Sequence, residues 1–157
     1  MGSRKSIVIL LASIVIIAVL FATGFSLIKI IQYNVGYSTE EFVDELKHRN
    51  INIGTPLSEL TGYTGYGGPS ITVERPRRIL ANGSEIAIYE FEEADYADEI
   101  AKTISPDGQR VGLSFISWIS KPHFYKKGKI IIQYVGEDLE ILERLGDILG
   151  KPIASGK

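Results

Sequence analysis

Residues 113–135 read LSFISWISKPHFYKKGKIIIQYV, and the fold turns on how they divide. Two runs, Leu113–Ile119 (LSFISWI) and Lys129–Val135 (KIIIQYV), are rich in β-branched and aromatic side chains that suit a pleated, half-buried surface. Each is expected to be a strand, with the nine residues 120–128, SKPHFYKKG, as the loop between them. Pro122 would stiffen that loop and Gly128 would let the chain return. Trp118 is expected in the core, its indole N–H needing one partner.

Upstream, Asn82-Gly83 is the strongest hairpin signal, because both residues tolerate the positive φ of a type I′ turn. It joins Ile79–Ala81 to a strand over Glu85–Phe91. That strand places Ala87, Tyr89 and Phe91 on one face and Ile86 and Ile88 on the other. A further short strand, Ile71–Val73, precedes Arg75-Pro76-Arg77-Arg78, where Pro76 suggests an edge or an interruption. Residues 93–104 predict a helix with Ala97, Ile100, Ala101 and Ile104 inward, stopped by Ser105-Pro106-Asp107-Gly108. Leu139, Leu142, Leu145 and Leu149 recur at helical spacing over Glu137–Leu149, and Gly150 and Pro152 close that helix.

At the front of this region, Ser38-Thr39-Glu40-Glu41 pairs a hydroxyl N-cap with a carboxylate three residues on. Phe42, Val43 and Leu46 then form an apolar stripe, Asn50 marks a stop, and Ile51-Asn52-Ile53 alternates like a short strand. Residues 61–70, TGYTGYGGPS, have no periodicity and read as a loop. The order α-β-β-α-β-β-α, with short connections, predicts an α+β domain: an antiparallel sheet with its helices packed on one face.

Before this domain, Ile7–Ile28 is 22 residues without a charge. A helix of that length spans about 33 Å, matching the ~30 Å hydrocarbon core of a bilayer. The rival reading is a cleaved signal peptide ending near Ala22-Thr23-Gly24. The apolar run continues through Phe25, Leu27, Ile28, Ile30 and Ile31, which favours an uncleaved anchor. Arg4, Lys5 and the α-amino group outweigh Lys29, so the N-terminus is expected on the cytoplasmic side and the domain outside. The expected layout is a cytoplasmic 1–6, a spanning helix 7–28, a linker 29–37, a domain 38–153 and a tail 154–157.

Composition narrows the function. Residues 38–157 carry 14 basic and 19 acidic side chains, which argues against nucleic acid as a partner. The absence of cysteine excludes disulfides, thiolate catalysis and Cys-ligated zinc. No G-x-S-x-G, H-E-x-x-H, Walker A or EF-hand pattern occurs, and no cofactor is implied. Glu45 and His48 have a spacing that suits a metal, but a carboxylate-bridged centre needs two such pairs, and a solvated helix face explains them. Asn82-Gly83-Ser84 matches a glycosylation sequon that the hairpin turn already explains. The acids from Glu90 to Glu99 suit the first turns of a helix, where carboxylates complement the dipole.

The 120–128 segment holds the candidate binding residues: Lys121, His123, Phe124, Tyr125, Lys126 and Lys127. A protruding loop with rings among ammonium groups would suit an anionic component of the cell envelope or an acidic protein surface. His123 would add a response near neutral pH. The competing reading folds Phe124 and Tyr125 onto the core and leaves the lysines for solubility.

IYEF (88–91), ISPDG (104–108), SWISKPHFYKKGKIIIQYVG (117–136) and the closing LG-x-P (149–152) resemble a group of small uncharacterised bacterial envelope proteins with an export or lipoprotein signal. The resemblance covers roughly residues 38–153 and implies localisation and a shared domain, not an activity. Lacking cysteine, this chain departs from the lipoprotein-like members, and the apolar helix is its evident anchor.

The functional expectation is a single-pass membrane protein with a non-enzymatic outer binding domain. It touches the bilayer through residues 7–28 and meets an envelope component or a membrane protein through its domain. One alternative is an envelope hydrolase with His123 as general base beside a carboxylate. Another is an accessory subunit whose sheet edge near Ile71–Val73 pairs with another protein.

Overall fold

The computed structural model describes residues 36–55 and 76–156. The apolar run 7–28, the Gly-rich 61–70 segment and the strand expected at Ile71–Val73 lie outside the described residues. No helix among the described residues is long and apolar enough to cross a membrane.

Local chemistry sets the first helix, α1 (Thr39–His48). The Ser38 hydroxyl accepts from the Glu41 N–H, and the Glu41 carboxylate accepts from the Ser38 N–H at 2.8 Å. That reciprocal box satisfies two orphan donors at the helix start. Phe42, Val43 and Leu46 are buried, and Asn50 turns the chain away at φ 62°. A two-residue β1 (Ile53–Gly54) follows.

β2 (Arg77–Ala81) and β3 (Ser84–Glu90) form the expected hairpin, with Arg77 opposite Ile88 and Ala81 opposite Ser84. Asn82 and Gly83 both take positive φ, 48° and 88°, as the turn requires. Helix α2 (Ala94–Lys102) then leads into a small hairpin of β4 (Arg110–Val111) and β5 (Ser114–Phe115). β6 (Pro122–Lys127), β7 (Ile130–Val135), α3 (Leu139–Leu149) and β8 (Ala154–Ser155) complete the order. The main sheet is antiparallel throughout, in the order β1-β2-β3-β7-β6-β8.

The segment expected as a loop, 120–128, contains the strand β6, paired residue for residue with β7 from Pro122–Val135 to Lys127–Ile130. The two-residue turn Gly128-Lys129, with positive φ at Gly128 (54°), closes this hairpin at little entropic cost. The place beside β7 is therefore taken, and Leu113–Ile119 cannot occupy it. That run supplies only β5 and packs through Ile116, while Leu113, Phe115 and Ile119 face solvent.

The helices pack on both faces, not one. α1 and α3 cover the face that carries Ile79, Ile86, Ile88, Tyr125, Ile130 and Ile132. α2 and the 104–118 segment cover the other, with Ala87, Tyr89, Phe124 and Ile131. The cause is visible in β3 and β7: Ile86-Ala87-Ile88-Tyr89 and Ile130-Ile131-Ile132 are buried without interruption. Strands apolar on both sides need cover on both.

Helix α3 uses a different stripe from the leucine repeat. Ile141, Leu145, Ile148 and Leu149 are buried, Leu142 is partly buried, and Leu139 is exposed. Asp138 caps this helix, accepting from the N–H groups of Glu140 and Ile141 at 2.9 and 3.3 Å. The tail is also structured: Ala154 and Ser155 add a last strand to the edge of β6.

Candidate functional site

The six candidate binding residues do not form one surface. Phe124 and Tyr125 are buried, on opposite faces of the sheet, as alternation along β6 dictates. Burial pushes the Tyr125 phenol above its ordinary pKa. Each lysine has an acidic neighbour: Lys121 with Glu137 at 3.1 Å, Lys126 with Asp98, and Lys127 with Glu45 at 3.7 Å. The positive charge of the segment is answered locally, and the rings that were to accompany it are core.

His123 is 7% exposed and held from both sides. Its Nε2 lies 3.1 Å from the Gly136 carbonyl oxygen, and its Nδ1 lies 3.0 Å from the Ser155 hydroxyl. A carbonyl can only accept, so Nε2 carries the proton; in the neutral ring Nδ1 then accepts from Ser155. The ring also stacks on Tyr134 at 6.1 Å. Desolvation lowers the His123 pKa from its ordinary 6.5; the Gly136 hydrogen bond opposes that, Lys121 adds to it and Glu137 opposes it. Among the described residues no carboxylate hydrogen-bonds to His123, as the alternative hydrolase reading would need; the Gly136 carbonyl holds its Nε2 instead.

Ser155 was not legible as a site residue. Only the register of β8 on β6, with His123 opposite Ser155, brings the two together across 32 positions of sequence. Ser155 lines a cavity of about 440 Å³ with Ser105, Pro106, Asp107 and Gln109. The Asp107 carboxylate shapes this wall, accepting from the Ser105 hydroxyl at 2.6 Å and the Gln109 N–H at 3.1 Å.

A second cavity, about 330 Å³, lies behind the β4–β5 hairpin. Its walls include Gln109, Phe115, Trp118, Lys121, Pro122 and Glu137. Trp118 is half-buried, donates its indole N–H to the Gly108 carbonyl at 2.8 Å, and packs edge-on against Phe124 at 6.0 Å. The hairpin in front carries Leu113, Phe115 and, just beyond it, Ile119, which are 106%, 77% and 88% exposed. One flank of β4 is bridged by Ile104 opposite Val111, and the other pairs with β5. The outer flank of β5 has no ladder partner among the described residues.

Among the described residues no group of three or more His, Asp or Glu side chains is placed to hold a metal ion. Compared with known proteins, the chain matches no family model, no curated protein and no solved structure.

Proposed function

We propose that this chain is a single-pass membrane protein whose α+β domain, held outside the cytoplasm, is an interaction module for another membrane-resident protein. The observation that carries the interaction is the β4–β5 hairpin. Three large apolar side chains stand in solvent within seven residues, beside a cavity walled by two aromatic rings. Three large apolar side chains exposed so close together in sequence point to a contact site. The open flank of β5 supplies main-chain donors and acceptors, so the fitting occupant is an extended apolar segment. It would add as a strand beside Phe115 and lodge a side chain in the 330 Å³ cavity. The local pairing of Lys121 with Glu137 favours such a neutral segment over an anionic polymer.

The anchor rests on the 22 uncharged residues 7–28, and the orientation on Arg4 and Lys5 ahead of them. The test is protease treatment of intact cells that express the full chain with an epitope after Lys157. Loss of the epitope without lysis supports the outward domain. An epitope protected until the membrane is breached refutes it.

A further inference from the structure

We propose that the segment which adds to β5 is the β5 of a second copy of this chain, paired antiparallel about a two-fold axis at Phe115. This rests on the reading of the hairpin as a strand-docking edge and of residues 7–28 as an anchor. In the β4–β5 hairpin Val111 lies opposite Ser114 and Arg110 opposite Phe115, across the two-residue turn Gly112-Leu113. The Ile116 N–H extends the pairing by donating to the Gln109 carbonyl at 2.8 Å. Bonded and non-bonded pairs alternate along an antiparallel ladder, so Arg110 and Phe115 form a non-bonded pair. Ser114 and Ile116 therefore turn their main-chain groups toward β4, and Phe115 turns its N–H and C=O outward.

The edge thus offers one donor and one acceptor, both from a single residue. The same residue of a second copy is their smallest complement. The Phe115 N–H donates to the carbonyl of the partner's Phe115, and the N–H of the partner's Phe115 returns the bond. A bonded pair of this kind brings the two Cα atoms to about 5.5 Å. The two rings, each 77% exposed in the single chain, then stand beside each other on one face. A two-fold contact also sets like beside like, so a charge near the axis would meet its own copy. Residues 111–120, VGLSFISWIS, contain no charge, and the exposed Leu113 and Ile119 flank the axis. A patch resting on three side chains is smaller than the roughly 1,200–2,000 Å² of stable interfaces, so free domains would associate weakly. Anchors in one bilayer make up the difference, because tethered partners meet at effective concentrations on the order of mM.

The test uses two full-length copies co-expressed in cells, each with its own epitope, one of them carrying a benzophenone amino acid at position 115. Illumination should give an adduct at twice the 17.3 kDa of the chain that carries both epitopes. Mass spectrometry should map the attachment to residues 111–120 of the second copy. Phe115→Pro in the second copy removes the outward N–H, a change an edge strand tolerates, and the adduct should fall at least about tenfold. Phe115→Tyr keeps the N–H and the ring and should leave the yield unchanged. Urea denaturation identifies a variant that has lost the fold, and Leu113→Glu, at an exposed turn position, then takes the place of the proline variant. An adduct from position 115 that holds a different protein and no second copy would overturn self-pairing while leaving the docking edge in place. A two-epitope adduct unaffected by the folded proline variant would overturn the strand pairing. No protein adduct at all would overturn both readings.

Discussion

The Lys127 ammonium stands 4.0 Å above the Tyr37 ring, donates to the Ile148 carbonyl at 2.9 Å and lies 3.7 Å from the Glu45 carboxylate. The last residue of β6 thereby ties together the segment that leads into α1, α1 itself and the final turn of α3. Cation–π contact and a charged hydrogen bond act here in a partly desolvated place, where both gain strength. Replacing Lys127 by Met should therefore cost about 2 kcal/mol of stability. Replacing Lys121, whose pairing with Glu137 is half exposed, should cost under about 0.5 kcal/mol. Urea denaturation followed by the fluorescence of Trp118, the only tryptophan, measures both.

Two phenylalanines nine positions apart should respond in opposite ways. Phe124 is 0% exposed and packed among Ala87, Ile131 and Trp118. Its truncation to Ala should cost about 3–5 kcal/mol through lost burial and the cavity left behind. Phe115→Ala, on the exposed hairpin, should change stability by less than about 0.5 kcal/mol. Equal costs at the two positions would contradict the placement of β6 inside the sheet.

The pKa of His123 is depressed in the fold, so the unfolded chain takes up protons first as pH falls. The stability held by the neutral ring is complete above about pH 6.5 and is lost progressively between there and the lower folded value. His123→Asn removes the titrating group. Its denaturation midpoint should be lower near neutrality but flatter across this window than that of the unmodified chain.

A separate loss is expected at lower pH. Burial works against ionisation of Glu90, but hydrogen bonds from the Lys129 ammonium, at 2.8 Å, and from Thr39 hold its carboxyl below the ordinary 4.5. A depressed carboxylate contributes stability that is present above pH 4.5 and disappears as pH falls through the folded value. Glu90→Gln should abolish that slope while leaving the His123 window intact, and thermal melts at stepped pH distinguish the two.

Features set by neighbouring residues were legible in the sequence. The capping box of Ser38 and Glu41, the Asn82-Gly83 turn and the alternating faces of β3 each follow from local chemistry, and the structure contains all three. Strand β6 was hidden because Pro-His-Phe-Tyr-Lys-Lys carries a proline and two lysines that look like loop. Its lysines remain near charge partners on Asp98 and Glu45 while the two rings go to core. The two-sided burial was readable: Ile130-Ile131-Ile132 leaves no polar face, and a one-sided sheet cannot accommodate it. Ser155 carried no local signal, since its meeting with His123 depends on strand register between distant segments.

The most direct measurement of the central claim is site-specific photo-cross-linking in intact cells, with a benzophenone amino acid at position 115 or, as control, at position 139. Leu139 is an equally exposed apolar residue on α3, at 80%, and stands outside the proposed contact. A discrete protein adduct is expected from position 115, none of that size from 139, and its loss when Leu113→Glu is added. No protein adduct from position 115, or the same adduct from both positions, would contradict it.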